Sequence, residues 1–374
     1  MRLSPNRPGL QPANRSKLLA PPVGMLCPAR STRPRPSLHE LAVPPRNQSR
    51  CLAFSISARL KSLFILALVG ITSAGCNRGV DQSATDSQPS GLRVVATTGP
   101  VGDMVRAIAG PDAKVDVLMG PGVDPHLYKE LPSDMEKIGA ADIVFYNGLH
   151  LEGRMAEVLE RRGETKAVFA VTEKLSSDKD PRLRYPDEFD GFADPHVWHD
   201  AALWSECAAV VGDRLAEVDP ENAAAYREAA AAYRDDLLQL DAECRKQIES
   251  LPVSRRVLVT AHDAFGYFSK AYGLEAVGMK GIRTEDEVSL TRMQEVAQLV
   301  IDRDLPAVFV ESSVAPKVIE ALIEPCKQAG HEVRIGGELY ADALGEPGKG
   351  AETYAGMMRA NVATIVSALV DSGE

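Results

Sequence analysis

Four short stretches of this 374-residue chain gather side chains able to hold a metal ion. "GVDPHLYKE" contributes Asp124 and His126, "DPHVWHD" contributes Asp194, His196 and His199, "TAHDAFGYF" contributes His262 and Asp263, and "GGELYADALGE" contributes Asp342. The whole chain has only seven histidines, and the tripeptide Asp-Pro-His occurs at both 124–126 and 194–196, which suggests a shared role. Imidazole and carboxylate together suit borderline divalent metals such as zinc, manganese or iron. Three neutral histidines and one carboxylate can close a four-coordinate site.

To bring residues 126, 196, 262 and 342 together the chain needs a frame, and its pattern supplies one. "LRVVATTG" (92–99), "AKVDVLMG" (113–120), "ADIVFYNG" (141–148) and "KAVFAVT" (166–172) are short β-branched runs ending in turn residues, with helical stretches such as "VGDMVRAIAG" and "RMAEVLERRG" between them. The same order returns in "RRVLVTAH" (255–262), "LEAVGMKG" (274–281), "PAVFVESS" (306–313) and "HEVRIGGEL" (331–339). The expected fold is α/β: two similar lobes, 92–219 and 253–374, each with a mainly parallel four-stranded sheet flanked by helices. Between them, "PENAAAYREAAAAYRDDLLQLDAECRKQIESLP" (220–252) is alanine-rich and free of internal Pro and Gly, as one long rigid linking helix would be. Ligands of open parallel sheets sit beyond the carboxyl ends of the strands. His126 follows a first-lobe strand, His262 ends a second-lobe strand, Asp342 follows the last strand, and His196 precedes the first lobe's final helix. The four could therefore meet in an interlobe cleft.

Charge divides the chain unevenly. Residues 1–75 hold 11 Lys and Arg and one acidic residue, leaving a net charge of −20 on the remainder. An acidic body argues against nucleic acid as partner and is compatible with cations. Arg59 and Lys61 precede the apolar run "SLFILALVGI", then "TSAG" leads to Cys76, the order of a secretory signal. Residues 1–75 therefore read as a targeting segment, with 1–58 a long Arg/Pro-rich front outside fold reasoning and 76–91 a polar tether. Ending on Cys76, the signal resembles that of a lipoprotein, in which the cysteine is lipidated; ordinary cleavage near Gly75 is the alternative. Cys207, Cys244 and Cys326 have no metal-knuckle spacing, and three thiols leave one over from any disulfide. They are expected to be buried or singly paired.

The four segments, in this order and behind an exported start, resemble the ligand segments of the zinc- and manganese-binding solute-binding proteins of ABC importers, from about residue 92 to the C-terminus. The resemblance implies His126, His196, His262 and Asp342 as metal ligands, and two α/β lobes joined by one long helix. It also implies capture of Zn2+ or Mn2+ as cargo outside the inner membrane, by a lipid-anchored monomer that delivers to permease subunits with their ATPase. No bond would be broken. His262 in the third segment points to zinc or mixed receptors, while "GELYADALG" and the lack of a His-rich loop between the first two segments point to the manganese or mixed branch. At a nitrogen-rich site zinc should bind more tightly than manganese. Asp124, Asp194 and Asp263 are candidates to accept the second N–H of the ligand histidines. Glu311 is a rival carboxylate for the cleft. His199 falls where relatives have an apolar residue and is expected to be solvated or capping, or a neighbouring ligand if 196–200 is helical. His150 and His331 are expected in loops, and Trp198 in packing. Two other functions compete: a secreted metallohydrolase with Asp342 or Glu311 as base, against which stands the lack of HExxH or a nucleophile motif, and an adhesin-like surface lipoprotein.

Overall fold

Strand composition sets the frame. In this computed structural model, which describes residues 91–370, each of the eight short runs named above contains a strand. The targeting segment, Cys76 and the tether up to residue 90 lie outside the described residues. The first lobe runs β1 (Arg93–Ala96), α1 (Gly99–Ala109), β2 (Lys114–Val117), α2 (Pro132–Ala140), β3 (Ile143–Tyr146), α3 (Arg154–Gly163), β4 (Val168–Ala170), α4 (Glu173–Ser177) and α5 (Ala201–Val218). Its sheet is four-stranded and wholly parallel, in the order β2-β1-β3-β4.

The long helix follows as α6 (Ala223–Ile248), shorter at both ends than the expected 220–252 because Pro220–Asn222 form a separate 3-10 turn and the helix stops before Leu251 and Pro252. The second lobe repeats the theme with β5 (Val257–Thr260), α7 (Gly266–Tyr272), β6 (Glu275–Gly278), α8 (Leu290–Asp302), β7 (Ala307–Glu311), α9 (Lys317–Gln328), β8 (Arg334–Leu339) and α10 (Tyr354–Leu369). Here the expected four-stranded sheet is split. β5 pairs with β6 and β7 with β8, both parallel, and β5 runs beside β7 without a ladder. In the first lobe the residue before β3, Asp142, donates its N–H to the Arg93 carbonyl; the residue before β7 is Pro306, which has no N–H to open the corresponding ladder.

Alternation along each strand divides the core. Val94, Ala96, Ile143 and Phe145 of the first lobe, with Leu258, Ala307 and Phe309 of the second, face one shared apolar cluster that also takes in Leu237, Leu240 and Ile248 of α6 and Met357 and Ile365 of α10. Val95 and Val144 face outward onto Ile138 and Leu159 under α2 and α3. Val257, Val259 and Val308 face outward onto Val300 and Leu322 under α8 and α9. The lobes are therefore joined by a continuous buried core as well as by a helix.

Candidate metal centre

Turns at the carboxyl ends of the strands carry the site. Asp124 Oδ1 accepts from His126 N at 2.9 Å, closing the turn that presents His126 after β2. Asp194 Oδ1 does the same for His196 N at 2.9 Å. The repeated Asp-Pro-His is thus a repeated turn, in which proline stiffens the backbone and the preceding carboxylate caps it. His262 lies just past β5, its N–H bonded to Glu311 Oε1 at 3.0 Å, and Asp342 lies just past β8.

These four side chains converge, one donor atom from each lying within 4.8 Å of all the others. His126 Nε2 is 3.1 Å from His196 Nε2. Asp342 Oδ1 is 3.4 Å from His196 Nε2, 3.5 Å from His262 Nε2 and 4.0 Å from His126 Nε2. With metal–donor bonds near 2.0 Å, tetrahedral donors stand about 3.3 Å apart, so the cluster has the span of a four-coordinate site. His262 Nε2 and Asp342 Oδ1 are buried without a hydrogen-bond partner, the condition of atoms that take a ligand other than a protein donor. His196, His262 and Asp342 are buried, and of the four His126 alone lines a cavity of about 180 Å³ whose wall includes the rings of His150 and Phe192, in contact at a tilt of 56°.

Carboxylates behind the rings fix their tautomers. Asp194 Oδ1 meets His196 Nδ1 at 2.8 Å and Glu311 Oε2 meets His262 Nδ1 at 2.5 Å, leaving both Nε2 lone pairs aimed at the cluster. Burial works against charge on these two imidazoles, yet the carboxylates on either side raise the His196 pKa and hold His262 well above its ordinary value. Burial lowers His126 to about 3. Burial also disfavours ionised Asp342, but His262 and His196 hold its carboxyl well below the usual range. Ser313 Oγ donates to Asp342 Oδ2 at 2.9 Å and leaves Oδ1 for the cluster.

The structure rearranges the supporting cast. Asp194 reaches a ligand-segment ring as expected, but Asp124 and Asp263 make no bond to an imidazole among the described residues. Asp124 caps the His126 turn and takes the Thr284 hydroxyl at 2.6 Å, while Asp263 pairs with Arg184. Glu311 stands behind His262 rather than in the donor set. His199 is not solvated: it is fully buried, because 197–199 form a single 3-10 turn that packs its ring on Phe265 with centroids 4.5 Å apart. His150 is exposed, His331 donates to or accepts from no site residue, and Trp198 packs. Cys207, Cys244 and Cys326 are buried free thiols. Arg184 carries no ligand-like spacing in the sequence, and only its charge beside acidic segments could have flagged it.

Residues 94–368 match the family model described as zinc-uptake complex component A periplasmic. The chain is 44% identical over 305 residues to the zinc-binding protein TroA of Treponema pallidum, covering 82% of this chain and 96% of that one. It is 43% identical over 314 residues to the manganese-binding lipoprotein MntA of Bacillus subtilis, covering 84% and 98%. The solved structure of the periplasmic zinc-binding protein TroA from Treponema pallidum superposes with a TM-score of 0.71 over 75% of this chain and 99% of that one.

Proposed function

Since the chain belongs to the zinc-uptake complex component A family of periplasmic proteins, we propose that it is an extracytoplasmic receptor that captures Zn2+ or Mn2+ and delivers it to an ABC permease. His126, His196, His262 and Asp342 hold the ion. The observation that carries the reading is the convergence of four donors from both lobes, two of them buried and otherwise unpartnered. Capture needs no covalent bond of the cargo to break: His196 and His262 give up any proton on Nε2, all three imidazoles and the Asp342 carboxylate replace hydration of the ion, and release follows when the loops that carry them rearrange at the permease. The acidic body attracts cations, and the three nitrogen donors favour zinc over manganese in affinity. In the cell the protein is anchored through lipidated Cys76 and acts as a monomer with a permease and its ATPase.

Proton competition gives the direct test. The raised pKa values of His196 and His262 mean that protons contest their Nε2 atoms already near neutral pH. Calorimetric titration with zinc at neutral pH should show about 10 kcal/mol of binding free energy or more and release of about one to two protons per ion. Affinity should fall as pH drops towards 5, because each lost imidazole lone pair removes a donor. Unchanged affinity in His126→Ala, His196→Ala and His262→Ala would remove the site, and proton-independent binding would remove the imidazole assignment.

A further inference from the structure

Arg184 stands where the two lobes meet. Its guanidinium donates through Nη1 to Asp194 Oδ2 and reaches Asp263 Oδ2 through Nη2 at 3.4 Å. Asp194 is the carboxylate whose other oxygen holds the His196 ring, and Asp263 directly follows His262. A single cation therefore bridges the carboxylates that adjoin one metal-site histidine from each lobe.

The surroundings are built to keep it there. Asp194 N donates to the Arg184 carbonyl at 2.8 Å, Arg184 N donates to the Tyr267 hydroxyl at 3.1 Å, and that hydroxyl donates to the Asp194 carbonyl at 2.9 Å. Gly266 opens α7 beside the guanidinium, where an added Cβ would fall 1.2 Å from Nη1. Asp194 is fully buried, whereas the Arg184 and Asp263 side chains keep 26% and 18% exposure. Solvent thus screens the second-lobe half more than the first.

We infer that Arg184 is a positioning residue that ties the two halves of the metal cluster together, acting on His196 through Asp194 and on the His262 strand end through Asp263. The inference rests on the cluster being the metal site. The longer, wetter Arg184–Asp263 contact is the half that opens when the ligand loops rearrange. While it holds, the cluster stays assembled and cargo leaves slowly.

The test uses the chain from residue 76 onward, loaded with zinc and mixed with excess chelator, with affinity and the absorption spectrum of the cobalt(II)-loaded protein measured alongside. Arg184→Gln should bind zinc about 10- to 100-fold more weakly and alter the cobalt spectrum, as loss of support behind a ligand does. Asp263→Asn, which leaves the Arg184–Asp194–His196 half in place, and Gly266→Ala, which displaces the guanidinium, should each speed zinc release several-fold. Arg359→Gln, which breaks a surface pair with Glu243 at 2.8 Å, should behave as wild type. Wild-type affinity and spectrum in Arg184→Gln would overturn the positioning role. Wild-type release from Asp263→Asn would overturn the link between lobes, and this variant decides alone if the metal-free Arg184→Gln protein lacks a cooperative unfolding transition. A wild-type protein that binds no zinc would instead refute the metal-site reading on which the inference stands.

Discussion

Two histidines three positions apart show what residue identity can and cannot announce. His196 was legible because it ends an Asp-Pro-His that occurs twice, and a repeated turn with a repeated donor implies a repeated task. His199 was not, since its fate depends on whether 197–199 make a helix or a single 3-10 turn, and the turn sends its ring into the core. Burial lowers its pKa to about 3, so it is neutral, and its Nε2 lies 2.9 Å from the Ala341 carbonyl. Trp198 Nε1 donates to the same oxygen at 2.9 Å, so two rings hold the residue that precedes Asp342. The two histidines should therefore fail differently when truncated. His196→Ala should lose zinc affinity by about 100-fold or more while the metal-free protein melts near wild type. His199→Ala should lower metal-free stability by about 2–4 kcal/mol, through a cavity and a lost buried bond, with a much smaller effect on affinity. Thermal unfolding and zinc titration of both variants separate the cases; a stable His199→Ala protein that no longer binds zinc would make His199 a ligand.

The same limit appears at the scale of the element. All eight strands could be read from short runs ended by turn residues, most plainly β1, β3, β5 and β7, which are buried along most of their length and so run apolar nearly throughout. The split between β5 and β7 comes where Pro306 stands in place of an N–H donor, a detail that no hydrophobic pattern reports. The loop after β3 carries a role that its residue types do not announce, since it supports both first-lobe histidines. Asn147 Nδ2 donates to the Pro195 carbonyl at 3.1 Å, just before His196. Gly153, at φ +50°, lies so close to His126 that a Cβ would meet its carbonyl oxygen at 2.7 Å. Leu149 and His150 also take positive φ, a strained path for residues with side chains. Glu152 holds the loop in that path: its fully buried carboxyl accepts from Thr97 Oγ1 at 2.8 Å, Asn147 N at 2.6 Å and Gly148 N at 3.3 Å. Burial pushes its pKa from the ordinary 4.5 to about 7. A raised carboxyl contributes stability that is full below pH 4.5 and lost as pH rises through about 7, because only the unfolded chain releases the proton freely in that window. Glu152→Gln stays neutral throughout, so its stability relative to wild type should improve by about 3 kcal/mol from the acid to the alkaline side of that window. Denaturant titrations of the metal-free proteins at pH 5 and pH 8 measure this; an equal difference at both would show that Glu152 does not titrate there.

At the scale of the whole molecule, the long helix explains less of the rigidity than its length suggests. A bare helix between two lobes resists bending but leaves the lobes free to roll about it. Here α6 buries Tyr226, Ala230, Leu237, Leu240, Cys244 and Ile248, and the apolar cluster they enter continues into the inner faces of both sheets. A wide opening would expose that cluster, and each buried Leu or Phe uncovered would cost about 1.5–3 kcal/mol. Reorganising the ligand loops costs less, since they lie at strand ends and carry few of those contacts. Zinc binding should therefore act locally. Between metal-free and loaded protein, hydrogen exchange should slow in the segments around His126, His196, His262 and Asp342 and in the 147–153 loop, while amides of α5 and α6 exchange alike in both. Backbone outside those loops should stay within about 1 Å, as in pre-organised binding, and solution scattering should give nearly equal radii of gyration. Changed exchange along α6, or a clear contraction on loading, would mean that the shared core opens and that closure is a hinge between lobes.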